Sequence, residues 1–155
     1  MANNTLKIIS GGQTGVDRAA LDAAIANNIV CGGWCPRGRK AEDGRIPDHY
    51  PLIELGSQDY AQRTLRNITG SDGTVIMYFE KPHGGTGLTL NTCMNDQIPY
   101  LEIDGSRLSI DQATQAITEF IDYHGITVLN VAGPRASEHP DAYQYAFQVM
   151  SQALK

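Results

Sequence analysis

Short apolar runs alternate along the chain with longer stretches in which apolar residues recur every three or four positions, the mark of strands interleaved with amphipathic helices. "LKIIS" (6–10) is rich in isoleucine and too short for a helix, so it reads as a buried strand. Between 17 and 28, Ala20, Leu21, Ala24 and Ile25 share one helical face, with Arg18 and Asp22 off it. "IVCGGWC" (29–35) and "PLIEL" (51–55) read as strands, "DYAQRTLRNIT" (59–69) as a helix, and "GTVIMYF" (73–79) as the clearest strand. "LTLNTCMND" (88–96) gives a shorter helix, followed by the strand "PYLEID" (99–104). Over 109–124, Ile110, Ala113, Ile117, Phe120 and Ile121 form one stripe that Gly125 ends as a carboxyl-terminal cap. "TVLNVAG" (127–133) is the last strand, and Ala142, Ala146, Val149, Met150 and Ala153 stripe a final helix. Such alternation predicts an α/β fold, a three-layer Rossmann-like domain whose mainly parallel sheet is flanked by helices. With no internal repeat, low-complexity tract or linker, residues 1–155 read as one domain.

Composition narrows the setting. Hydrophobic content of 41% fits a globular chain, and no apolar stretch approaches a membrane span. The start, "MANNTLKIIS", lacks the long apolar region of an export signal, and three cysteines without a framework spacing suit a reducing cytoplasm. A net charge of −5 argues against nucleic-acid or membrane-surface binding, both of which leave a basic footprint.

In an open parallel sheet, ligands bind beyond the carboxyl ends of the strands, which directs attention to the loops that leave them. The first, "SGGQTGVD" (10–17), places Gly11, Gly12 and Gly15 around Gln13 and Thr14 where a strand hands over to a helix. Glycine permits close approach to the main chain, and the first amides of the helix attract an anion. Thr14 and Asp17 also have the spacing of a capping box, which would account for the threonine without a ligand. The spacing is not G-x-G-x-x-G, no acidic residue ends the second strand, and a P-loop lysine is missing, so ordinary NAD or ATP binding is disfavoured. A second such loop, "KPHGGTGLT" (81–89), offers Gly84, Gly85, Thr86 and Gly87, with His83 as a ligand contact or a plain turn residue.

The connection "PRGRKAEDGRIPDHYP" (36–51) is unusually long for a compact domain. It carries Arg37, Arg39, Lys40 and Arg45 against Glu42 and Asp43, a surplus that reads either as a basic flap over an oxyanion or as charges paired with one another. Trp34 beside it could stack on a planar ring or fill the core. In "AGPRASEHP" (132–140), Arg135 stands just past the last strand, placed to clamp an anion. Metal ligation is not expected: Cys31 and Cys35 would lie about 13 Å apart along a regular strand, unless Gly32 and Gly33 kink it and bring them closer, and the four histidines lack ligand spacing. No nucleophile with its base is evident.

The segments "SGGQTGVDRAALDAA", "GWCPRGRKAEDGRIPDHYPLIE", "PHGGTGLT" and "LNVAGPRASE" together resemble the molybdenum carrier family, related to molybdenum cofactor carrier proteins and, more widely, to the lysine-decarboxylase-like group. The resemblance implies a Rossmann-like homo-oligomer that holds the pterin–molybdenum cofactor in a basic pocket, with a cofactor-receiving protein as partner. It also implies that Gly11–Thr14 and Gly84–Gly87 form the binding loops. Arg37, Arg39 and Arg135 join them on charge. The wider group includes phosphoribohydrolases of nucleoside 5′-monophosphates and sensors of nucleotide-derived ligands. The hydrolases resemble "PGGxGTxxE", whereas this chain reads "HGGTGLTLN", with Leu90 and Asn91 where the catalytic glutamate would stand. The expectation is therefore a binding protein for a small anionic ligand. Asp17 is the nearest carboxylate should there be catalysis.

Overall fold

The computed structural model describes residues 5–155; the first four residues of the stretch read above as no export signal lie outside the described residues. In chain order the elements are β1 (Lys7–Ile9), α1 (Val16–Ala26), β2 (Val30–Gly32), β3 (Trp34–Cys35), β4 (Lys40–Ala41), β5 (Gly44–Arg45) and β6 (Ile53–Glu54). There follow α2 (Tyr60–Thr69), β7 (Gly73–Tyr78), α3 (Gly84–Asn95), β8 (Tyr100–Asp104), α4 (Ile110–His124), β9 (Val128–Ala132) and α5 (Ala142–Ala153). Five strands form one sheet in the order β2-β1-β9-β7-β8, and every pair in it is parallel. In register, Ile8 stands beside Cys31 and Leu129, and Val75 beside Leu101 and Val131.

The period-2 alternation of β7 divides the core. Val75 and Met77 face the larger cluster, where alanines of α1 (Ala19, Ala20, Ala23, Ala24) meet Ala142 and Ala146 of α5, and Ile117 of α4 closes the layer. Ile76 faces the other way, onto Ile68 of α2 and Cys93 of α3. Helices therefore cover both faces, as the Rossmann-like reading requires. Helix α4 has the expected termination, with Gly125 left-handed at φ 60°, and begins with a capping box between Ser109 and Gln112.

Two expected elements differ. The run 29–35 is not one strand: Gly33, at φ 125°, turns the chain where a Cβ would come within 2.2 Å of the Ser10 carbonyl oxygen. Only β2 stays in the main sheet; β3 leaves it and pairs in parallel with β6, so "PLIEL" belongs to a small separate sheet. The second difference is α3, which starts at Gly84 and not near residue 88, so the glycines expected to form a loop are its first turn.

The connection 36–51 is built, not structureless. Strands β4 and β5 make a short antiparallel hairpin, and Ala41, Ile46 and Tyr50 pack with Leu21 of α1 and Cys35. The Tyr50 hydroxyl donates to Asp22 of α1 at 2.8 Å, and Tyr143 of α5 donates to the same carboxylate at 2.5 Å. This flap is thus tied to the helices behind the carboxyl ends of β1 and β9.

Candidate functional site

Strand β1 leads outward to β2 on one side and β7 to β8 on the other, while β9 returns to fill the middle. Beyond the carboxyl ends of β1, β9 and β7 lies a cleft with about 520 Å³ of empty space, part of it open to solvent. Its position is the one that sheet topology favours for a ligand. Gly11, Gln13 and Asp17 line it from the β1 side, Gly85 and Thr86 from the start of α3, and Arg135 from the loop after β9.

The glycines of the first loop serve mainly the protein itself. A Cβ on Gly11 would stand 2.2 Å from Cδ of Arg63, whose Nη1 donates to the Gly11 carbonyl at 3.1 Å. Gly12, at φ 76°, faces Leu52 and Ile46 of the flap side. Gly15 caps α1 at φ 81° and leaves room for the Pro134 carbonyl, which accepts from the Val16 amide at 3.2 Å. Thr14 does not cap the helix: its hydroxyl donates to Glu42 of the flap and accepts from the Ala136 amide at 3.0 Å. Gln13 accepts at Oε1 from the amides of Thr14 and Glu42, at 3.1 and 2.9 Å, and its Nε2 is buried with no partner among the described residues.

The second loop is different in kind. A Cβ on Gly85 or Gly87 would meet nothing within 4 Å, and neither glycine has a positive φ. The amides of Thr86 and Gly87 donate to the His83 carbonyl, while those of Gly84 and Gly85 have no partner among the described residues. Gly85 therefore borders the cleft with an unpaired N–H at the positive end of a helix dipole. Gly84, at φ 50°, lies beside Glu138. His83 precedes α3 without a side-chain cap bond.

The cations are redistributed relative to expectation. Arg39 does not reach out over an anion: it is buried, and its guanidinium donates to the carbonyls of Ile46 (3.0 Å), Pro47 (2.6 Å) and Tyr50 (2.9 Å), holding the flap together from within. Arg37 is exposed, bonded through its amide to Ser57, and is not among the residues that line the cleft. Arg45 pairs with Asp48, and Arg18 of α1 holds Asp43 by two bonds of 2.6 and 2.8 Å. Arg135 does border the cleft. It shares the ring of Tyr60 with Lys40 of the flap and with Arg63, which charge counting did not select: Lys40 Nζ at 4.8 Å, Arg63 Cζ at 5.2 Å and Arg135 Cζ at 5.6 Å from the ring centre.

Residues that the sequence did not single out complete the wall. Arg63 and Asn67 are one helical turn apart on α2, the spacing that puts both on the same face. Asn67 exchanges bonds with the backbone of Trp34, accepting at 2.9 Å and donating at 2.9 Å. The Trp34 ring lies under Arg66, 3.9 Å away, and against Gly70, so it supports the fold rather than lining the cleft. Asn130, in the middle of β9, bonds Thr74 at 3.2 Å and also borders the cleft.

Asp17 is the buried acid of the site. It accepts from the Gln13 amide at 3.2 Å and lies 3.8 Å from Arg63 Nη1. Burial pushes its carboxyl up to about 6, with Arg63 and the Gln13 amide pulling the other way. The flap closes over this loop through Glu42, which accepts from the Ser137 hydroxyl at 2.6 Å, from its amide at 3.2 Å and from Thr14. Among the described residues no group of three or more His, Cys, Asp or Glu side chains is placed to hold a metal ion, and Cys31, Cys35 and Cys93 are all free thiols. No helix of the described residues is long and apolar enough to cross a membrane.

Comparison with known proteins adds two findings. The family model described as the circularly permutated YpsA SLOG family matches residues 8–154. A crystal structure at 1.45 Å resolution, of a protein from Syntrophus aciditrophicus SB named putative molybdenum carrier protein, superposes with a TM-score of 0.96. It is 44% identical, and the alignment covers 100% of this chain and 98% of that one. No curated protein matches the chain.

Proposed function

The chain belongs to the circularly permutated YpsA SLOG family, and from that premise we propose that its cleft binds a small ring-containing anion, the pterin–molybdenum cofactor or a nucleotide-like relative, for storage or delivery. The observation that carries this reading is the start of α3. Glycine at a position whose backbone alanine can adopt costs roughly 0.4–1 kcal/mol relative to alanine. Gly85 incurs that cost with no neighbour to make room for, whereas Gly11 makes room for Arg63. Space held open beside an unpaired amide at a helix start suits an approaching anionic group. Arg63 and Arg135, converging there on a chain of net charge −5, supply local charge of the matching sign. The molybdenum part of the proposal draws on the name of the 44% identical relative.

Native mass spectrometry of protein purified without oxygen from a molybdenum-replete host tests the reading. A bound mass that fits a pterin or its nucleotide conjugate supports it; empty protein under those conditions counts against it.

A phosphoribohydrolase reading has one observation in its favour, the buried Asp17 carboxyl, which holds its proton up to about pH 6 and borders the cleft. Neither residue where the related hydrolases would carry their glutamate is a carboxylate: Leu90 packs against the Ile68–Ile76–Cys93 cluster, and Asn91 is exposed. Release of free base and ribose 5-phosphate from a nucleoside 5′-monophosphate would support this second reading, and loss of that release in Asp17→Asn would place the chemistry at Asp17.

A further inference from the structure

A second lobe adjoins the cleft. Thr86 and Glu138 line both, so these two side chains stand between the neighbouring spaces. One side of the second lobe is aromatic, with Lys81 and His83 also in its lining: Phe79 and His139 stack with centroids 3.8 Å apart and planes 13° from parallel. Tyr145 meets Phe79 edge-on at 5.5 Å, and Gly105 gives Phe79 room behind. Pro134 and Tyr78 extend the wall. Rings packed in this way make a rigid surface for another planar group.

Glu138 stands at the junction. Its Oε1 accepts from the Arg135 amide at 3.2 Å and lies 3.6 Å from Arg135 Nε. Its Oε2, on the side of Gly84, receives no donor among the described residues. A carboxylate next to Arg135 suits a bare oxyanion poorly, because the two like charges would repel. It suits a ligand that carries hydrogen-bond donors a few ångströms from its anionic end.

We propose that the ligand is bipartite: its anionic end sits in the first lobe, and its planar ring lies in the second with a paired N–H edge turned to Glu138. This rests on the binding reading given above and narrows it. A carboxylate offers about four lone-pair directions and receives two adjacent N–H groups side by side. The ring edge with that pattern is the 2-amino-4-oxo-pyrimidine, N–H beside NH2, shared by guanine and pterins. Adenine presents a bare ring nitrogen beside its amino group, which sets lone pair against lone pair.

Calorimetric titration of the full chain with two matched pairs tests this, GMP against AMP and 6-carboxypterin against 6-carboxylumazine. The members with paired donors are expected to bind about tenfold more tightly or better, as a good bidentate contact discriminates. In Glu138→Gln the preference disappears or inverts toward AMP, because glutamine still accepts from the Arg135 amide but offers one acceptor beside one donor, the complement of the adenine edge. Whichever of GMP and 6-carboxypterin binds more tightly identifies the source of the ring. Equal affinities within each pair, or a preference that survives in Glu138→Gln, overturn the inference and leave the anion-binding cleft standing. Failure of all four compounds to bind overturns the binding reading itself, and this inference with it.

Discussion

Replacing Gly85 with alanine separates a structural glycine from one kept for a ligand. The added Cβ meets nothing within 4 Å, and the backbone there is not left-handed, so the folded state accepts it without strain. Alanine loses less backbone freedom on folding, and Gly→Ala at a compatible helical site stabilises by roughly 0.4–1 kcal/mol. For a chain of this length, each 1 kcal/mol is worth about 2–4 °C in Tm. Gly85→Ala should therefore melt about 1–4 °C higher by circular dichroism. The same methyl group occupies space beside the cleft, so occupancy in the native mass spectrum, or affinity for GMP and 6-carboxypterin, should fall. A higher Tm with unchanged binding would refute the claim that Gly85 is kept bare for a ligand. A lower Tm would refute the packing argument beneath it. Gly11→Ala gives the opposite pattern, because its Cβ would collide with Arg63. Overpacking of that kind costs typically 1–3 kcal/mol, read as a lower urea midpoint.

Three further outcomes follow from the site. Arg39→Ala leaves the carbonyls of Ile46, Pro47 and Tyr50 without their shared donor, so stability in urea should drop by about 2–3 kcal/mol and limited proteolysis should cut first within 36–51. Asp17 has its carboxyl raised from 3.8 to about 6 on folding, so the native state binds the extra proton between those values. Its contribution to stability is therefore greatest below pH 3.8 and falls as pH rises through 6. Against wild type, Asp17→Asn should lack that decline, seen as a difference in urea midpoints between pH 4 and 7; parallel profiles would refute the assignment. Glu42→Ala removes the acceptor shared by Thr14 and Ser137, and amide exchange should accelerate in 40–45 while the sheet strands keep their protection.

How much of the site could be read in advance depends on how far apart its parts lie along the chain. Gly11, Gln13, Gly85, Thr86 and Arg135 were visible because each stands just past a strand, where a parallel sheet places its ligands. Arg63 gave no such signal. It sits within α2 and reads as one more polar position on an amphipathic helix; only the packing of α2 against β3 and α3 carries it to the Gly11 carbonyl. Arg39 misled for the converse reason, since a charge count cannot tell a guanidinium that reaches outward from one that folds back onto three carbonyls of its own loop.

The sequence by itself determined the succession of strands and helices, because the two periods, 2 and 3.6, are local properties of the backbone. It also determined the main stops, such as Gly125, since a left-handed cap is a property of one residue. Tertiary structure decided the rest. The order β2-β1-β9-β7-β8 brought a strand from near the end of the chain between two earlier ones, and so joined loops more than a hundred residues apart, as in the bond from Ala136 to Thr14. It broke 29–35 at Gly33, because the chain must pass the Ser10 carbonyl, and it drew α3 back over glycines that read as a loop. Which glycine faces the protein and which faces the cleft is likewise a matter of neighbours, and neighbours across a sheet are set by burial of the whole core, not by any window of sequence.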